Sequence, residues 1–161
     1  MKRILCLILI FICLLSGCGK KDDVVFYYRS VDYLNSRSGS VLDSETRDVT
    51  GYRDNPQFLV ALYLAGPLDQ DLQSPFPTGT KLQSLFFKED QLTIQLYDLP
   101  QTLSDSDFSL ACACLTMTSL EFTNAKTVTI LCGSRSVTMD QSILTFTDTP
   151  ATISPTDGGT T

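Results

Sequence analysis

Three aspartates and three serines gather in one stretch of the chain: Asp98, Asp105 and Asp107, with Ser104, Ser106 and Ser109 among them. Carboxylates this close in sequence could hold a metal ion or work as an acid/base pair. A serine acting with Lys126 would be the remaining route to a hydroxyl nucleophile. The chain contains no histidine and no tryptophan, so mechanisms that use imidazole as base or metal ligand are excluded. A plainer role fits the same residues. Ser104 or Ser106 can cap a helix, and Asp105 and Asp107 then sit at its positive end, where acids are favoured. The glycines form no phosphate-cradling loop. No catalytic, cofactor-binding or metal-binding residue is therefore assigned.

A more defined chemistry attaches to Cys18. Met1-Lys2-Arg3 gives a basic start, and Ile4 to Leu15 is an unbroken apolar run of twelve residues, the length of a secretory signal core. As a helix it would span only ~18 Å, short of the ~30 Å hydrocarbon core of a bilayer. The run closes on Leu15-Ser16-Gly17-Cys18, which resembles the lipobox of bacterial lipoprotein precursors. The resemblance implies that the Cys18 thiol is diacylated and the chain cut just before it. Residues 1–17 are then a lipoprotein signal peptide, 18–23 a lipidated tether, and the protein sits on the extracytoplasmic face of the cell membrane. Two acyl chains give the stable anchoring that one does not.

Removing Lys2 and Arg3 with the signal leaves ten basic residues against eighteen acids, a formal charge of about −8. Such a surface repels nucleic acid and has no polybasic membrane patch, so the lipid must do the anchoring. Of six cysteines, Cys6 and Cys13 leave with the signal and Cys18 is acylated, so Cys112, Cys114 and Cys132 remain. Three thiols do not make a disulfide framework, and without histidine they are a poor zinc set. Buried free thiols are the favoured reading, with one disulfide to Cys132 as the alternative. Tyr27, Tyr28, Tyr33 and Tyr52 cluster in the amino-terminal third and could line a binding surface, although strand packing and loop aromatics account for them as well.

These residues need elements to position them. Val24 to Tyr28 is rich in β-branched and aromatic types and predicts a strand. Ser30 to Asp54 is polar and predicts a loop with at most one short edge strand, so 24–56 is an N-terminal strand and polar loop. Asn55-Pro56 and Gly66-Pro67 bracket an apolar run and favour a helix over a buried strand. Leu82 to Phe87 and Leu92 to Tyr97 form a hairpin turning at Lys88-Glu89-Asp90, with Leu92, Ile94 and Leu96 on one face. A second helix follows Ser104 and closes by Asn124, with Leu110, Cys114 and Met117 at helical spacing and Cys112 pointing away from Cys114. Thr127 to Cys132 alternates as a strand, turns at Gly133-Ser134 and leads to a short strand at Val137 and Met139. The tail 147–161 is predicted to be a disordered polar segment. The order strand, helix, hairpin, helix, strand predicts an α+β fold, a two-layer sandwich.

From about Gln57 to Phe146 these elements resemble the GerMN domain of sporulation and spore-germination lipoproteins. The matching words are Leu64-Ala65-Gly66-Pro67, the loop Ser74-Pro75-Phe76-Pro77-Thr78-Gly79-Thr80-Lys81, the strand Leu92 to Leu96, and Val128 to Leu131 before Gly133. Members often carry two copies, whereas this chain has room for one, at 57–146. The resemblance implies a non-enzymatic, ring-building-motif-like module, membrane-anchored and engaged in protein interaction within the cell envelope, with an envelope protein or self-association as partner. Sporulation or spore germination is the setting it points to. A small-ligand or cell-wall-fragment binding lipoprotein is the alternative. A hydrolase built on Ser104 and Asp105 is the weakest reading. No cofactor is expected.

Overall fold

The computed structural model describes residues 22–140 and Ser142. Residues 1–17, Cys18, the tether as far as Lys21, the end of the 57–146 segment beyond Ser142, and the tail 147–161 lie outside the described residues.

The expected first strand is β1, Asp23–Ser30, with Val24, Phe26, Tyr28 and Ser30 turned inward. It is the middle strand of a three-stranded antiparallel sheet in the order β2-β1-β3, with β2 at Leu42–Asp48 and β3 at Leu72–Gln73. The sheet starts earlier than the 18–23 tether allows, since the Asp22 carbonyl accepts from the Val49 amide.

The polar loop expected over Ser30 to Asp54 is instead a short helix and a full strand. The helix α1, Val31–Ser36, is capped by the Ser30 hydroxyl on the Tyr33 amide. Strand β2 pairs with β1 along its whole length, Phe26 opposite Glu45 and Tyr28 opposite Asp43. Its sequence, Leu-Asp-Ser-Glu-Thr-Arg-Asp, has no apolar alternation because most of its side chains face solvent. What fixes it is backbone pairing and one buried cation. Arg47 pairs with the Glu45 carboxylate and donates to the Gly66 carbonyl at 2.7 Å and to Tyr28 Oη at 3.2 Å. Glu45 in turn accepts from the amides of Leu68 and Asp69, so the network ties the strand to the loop after the next helix.

That helix, α2 (Pro56–Leu64), starts as expected, with the Asn55 side chain accepting from the Phe58 amide and proline in the first turn. It stops at Gly66, whose φ of 100° suits glycine. Leu59, Val60 and Tyr63 are fully buried.

The second sheet has the order β4-β5-β6-β7, with β4 at Leu82–Lys88, β5 at Gln91–Leu96, β6 at Thr127–Cys132 and β7 at Arg135–Asp140. Strands β4-β5 and β6-β7 are antiparallel, and β5-β6 is parallel. A parallel pair needs a crossover; here it is α3, Asp105–Phe122. The predicted alternation holds, with Leu92, Ile94, Leu96, Val128, Ile130 and Cys132 all inward.

No residue from Ala111 to Leu120 of α3 is exposed. One side meets the first sheet, where Thr118 Oγ accepts from the Tyr27 amide at 3.0 Å. The other meets the second sheet, where the Arg135 guanidinium lies 4.2 Å over the Phe108 ring. Small side chains, Ala111, Cys112, Cys114, Thr118 and Ser119, let both sheets approach. The expected opposite orientation of Cys112 and Cys114 is therefore compatible with both being buried.

The fold is α+β, as the sequence indicated, and the order strand, helix, hairpin, helix, strand runs through β1, α2, β4-β5, α3 and β6. The three-stranded sheet beyond α3 is an addition to the expected two layers.

Candidate functional site

The start of α3 concentrates the acids and serines singled out in the sequence. Ser104 caps the helix by accepting from the Asp107 amide at 3.1 Å, and its hydroxyl donates to Asp107 Oδ2 at 2.6 Å. Ser106 Oγ stands 3.0 Å from Ser104 Oγ. Asp107 also faces Arg29 at 3.5 Å, and Asp105 faces Arg135 at 3.9 Å. Asp107 thus links the helix terminus to β1, whereas Asp105 is fully exposed and only approaches Arg135. Asp98 is set apart from them, packed against the β6-β7 turn so closely that a Cβ at Gly133 would stand 2.7 Å from its Oδ1.

Lys126 does not meet the serines. It follows the last turn of α3 whereas Ser104 and Ser106 stand at the first, and a helix of 18 residues separates the two ends by roughly 27 Å. Lys126 is paired with Asp90 instead, and the hydrogen bond and charge of that carboxylate raise its pKa and keep it protonated. Among the described residues no group of histidine, cysteine or acid side chains could hold a metal ion, and no helix is long and apolar enough to cross a membrane.

A cleft of about 900 Å³ lies between the end of α2, strand β3 and the proline-rich loop that leads to β4. The loop is rigidly built. The Thr80 amide and hydroxyl both donate to the Pro77 carbonyl, the Ser74 hydroxyl donates to the Phe76 carbonyl, and the Phe76 ring is buried edge-on against Tyr63. The loop Ser74 to Lys81, one of the pieces that carry the GerMN resemblance, thus forms the wall of the cleft.

Residues 25–138 match the family model Germane, described as sporulation and spore germination. The chain belongs to the Germane family. The match begins at β1, so the Germane segment includes the strands that sequence reasoning set ahead of position 57. The first GerMN domain of the sporulation protein GerM from Bacillus subtilis shares the fold at a TM-score of 0.52 and 16% identity, over 71% of this chain and 86% of that one. The tandem GerMN domains of the same protein align at 0.49 and 18% identity, over 74% of this chain and 43% of that one. A Clostridium perfringens protein provisionally termed a lipoprotein aligns at 0.48 and 17% identity, over 74% and 87%. No curated protein shows significant similarity.

Within this Germane domain the remaining candidates separate. Cys112, Cys114 and Cys132 are free thiols. Burial pushes Cys112 and Cys114 up to about 12 and also raises Cys132, so none is a ready nucleophile. The four tyrosines do not share a surface. Tyr28 is in the core, stacked 4.9 Å from Tyr63; Tyr27 bonds Glu121 on α3; Tyr33 is half-buried on α1; and exposed Tyr52 stacks on Phe58. Cys18 lies outside the described residues.

Two features escaped sequence reasoning. Arg29 lines the cleft, which only the β1-β3 pairing could reveal. Phe86 and Phe87, read simply as hairpin residues, are 51% and 47% exposed on β4, a strand paired on one side only.

Proposed function

We propose that this chain is a lipoprotein, acylated at Cys18 and held on the extracytoplasmic face of the cell membrane, whose Germane domain is a non-catalytic docking module in sporulation or spore germination. Its partner is another envelope protein or a further copy of itself. The observation that carries the reading is the β4 edge. Phe86 and Phe87 are about half exposed at the rim of the second sheet, and an apolar edge strand with free backbone groups on its outer side invites pairing with another chain. Ser104 and Asp107 at the α3 start are engaged in capping and an ion pair, which supports a role without catalysis. The lipobox residues and the basic, apolar leader support the anchor.

The test is crosslinking in cells followed by capture of the full chain from membranes. The docking reading expects a reproducible envelope partner or a crosslinked dimer, reduced by the double variant Phe86→Ser, Phe87→Ser and lost from the membrane fraction with Cys18→Ala. A capture profile unchanged by the β4 variant, in vegetative and in developing cells alike, would end it.

A further inference from the structure

We infer that the cleft between α2, β3 and the proline-rich loop is a binding site for an extended peptide segment carrying a carboxylate. The charge pattern comes first. The whole chain has 18 acidic and 12 basic residues, yet among the described residues the charged side chains lining this cleft are Arg29 and Lys81, both cations. Lys81 has no side-chain partner among the described residues. Arg29 is only partly engaged: its side chain is about a quarter exposed, and one terminal nitrogen faces Asp107 at 3.5 Å, long for a charge-assisted hydrogen bond. Asp107 shares its carboxylate with Ser104 and the helix cap. A guanidinium with donors to spare favours a planar anion.

The rest of the lining selects among anions. Leu64, Leu72 and Leu82 give apolar walls, and the volume suits several residues rather than a lone phosphate. A sugar would want an open aromatic face, whereas Phe76, the aromatic side chain of the lining, is 3% exposed. Strand β3 also borders the cleft, and among the described residues no strand pairs with its outer edge, so an extended chain could add there. The cleft lies at the start of β4, away from Phe86 and Phe87, and this assignment does not depend on docking through them.

The experiment measures fluorescence anisotropy of a labelled, amidated Leu-Pro-Leu-Glu-Leu peptide with the protein purified from membranes in nonionic detergent. The same peptide with glutamine in place of glutamate serves as control. The acidic peptide is expected to bind at least about tenfold more tightly than the neutral one, and Lys81→Glu, at an exposed position, to weaken it by a similar factor. Arg29→Gln should abolish the preference, and Phe86→Ser, Phe87→Ser should leave it unchanged. Equal binding of the two peptides, no binding at millimolar concentration, or indifference to Lys81→Glu would overturn the assignment. So would displacement by inorganic phosphate far below the acetate concentration that has the same effect, because the site would then be one for phosphate.

Discussion

Arg47 lies with its guanidinium 4.9 Å above the Phe26 ring while its charge is paired with Glu45, and both side chains are buried. The cation thus joins β1, β2 and the loop after α2 at one point. Removing it would leave a buried carboxylate whose remaining partners are backbone amides. Arg47→Ala is expected to lower the unfolding free energy by about 3 kcal/mol, and Arg47→Lys, which keeps charge but not the planar fork, by about 1–2 kcal/mol. Urea denaturation decides the matter, and a loss below about 1 kcal/mol for alanine would show that the network is dispensable.

Thr118 supplies an acceptor to an edge amide of β1. In Thr118→Val the Tyr27 N–H loses its partner in a part-buried setting, at a cost of about 1 kcal/mol. Thr118→Ser should recover most of it. Amide hydrogen exchange at Tyr27 gives an independent readout: faster exchange in the valine variant and near-native exchange in the serine one.

Gly133 has a φ of 57° and faces Asp98. Gly133→Ala incurs both the left-handed penalty and a clash, together about 2 kcal/mol or more. Adding Asp98→Ala should relieve the clash and leave the backbone penalty, so the double variant melts between wild type and the single one. If it melts no higher than Gly133→Ala, the close approach is not the cause.

The thiols give a pH signature. Burial holds Cys112 and Cys114 at about 12, above the ordinary value of 9.0. The folded state therefore favours the neutral thiols, a contribution complete below about pH 9 and lost as pH rises towards about 12. Stability should fall across that window, less steeply in Cys112→Ala, Cys114→Ala. At pH 8 iodoacetamide should leave both residues unmodified in the native protein and alkylate them in urea, and rapid native labelling would contradict the burial.

Much of the scaffold was legible because its signals are local. Asn55-Pro56 and Ser104 act within one helical turn, and Leu92-Ile94-Leu96 shows its period directly. Strand β2 was not legible, because Asp43, Ser44 and Thr46 face solvent and its buried member is an arginine whose partners lie on other elements. The extent of α3's burial was equally hidden, since small residues such as Ala111 and Cys114 mark no apolar stripe, and the partly exposed face carries Leu110, Ala113, Met117 and Leu120 rather than polar residues. The acids at the start of α3 were read correctly as helix-terminal because capping is local. Arg29 in the cleft was missed because its neighbours come from positions far along the chain.

The burial of α3 between two sheets has a consequence for how the molecule opens. Each sheet covers one side of the same helix, so neither can detach without exposing it and the two should unfold in a single step. Fragments cut between β3 and β4 would each lack what the other supplies, the first losing the α3 contact along β1 and the second having bare apolar residues on α3. Exchange at the central amides of α3 should therefore require opening of the whole domain, and the slowest-exchanging hydrogens of the protein should be found there.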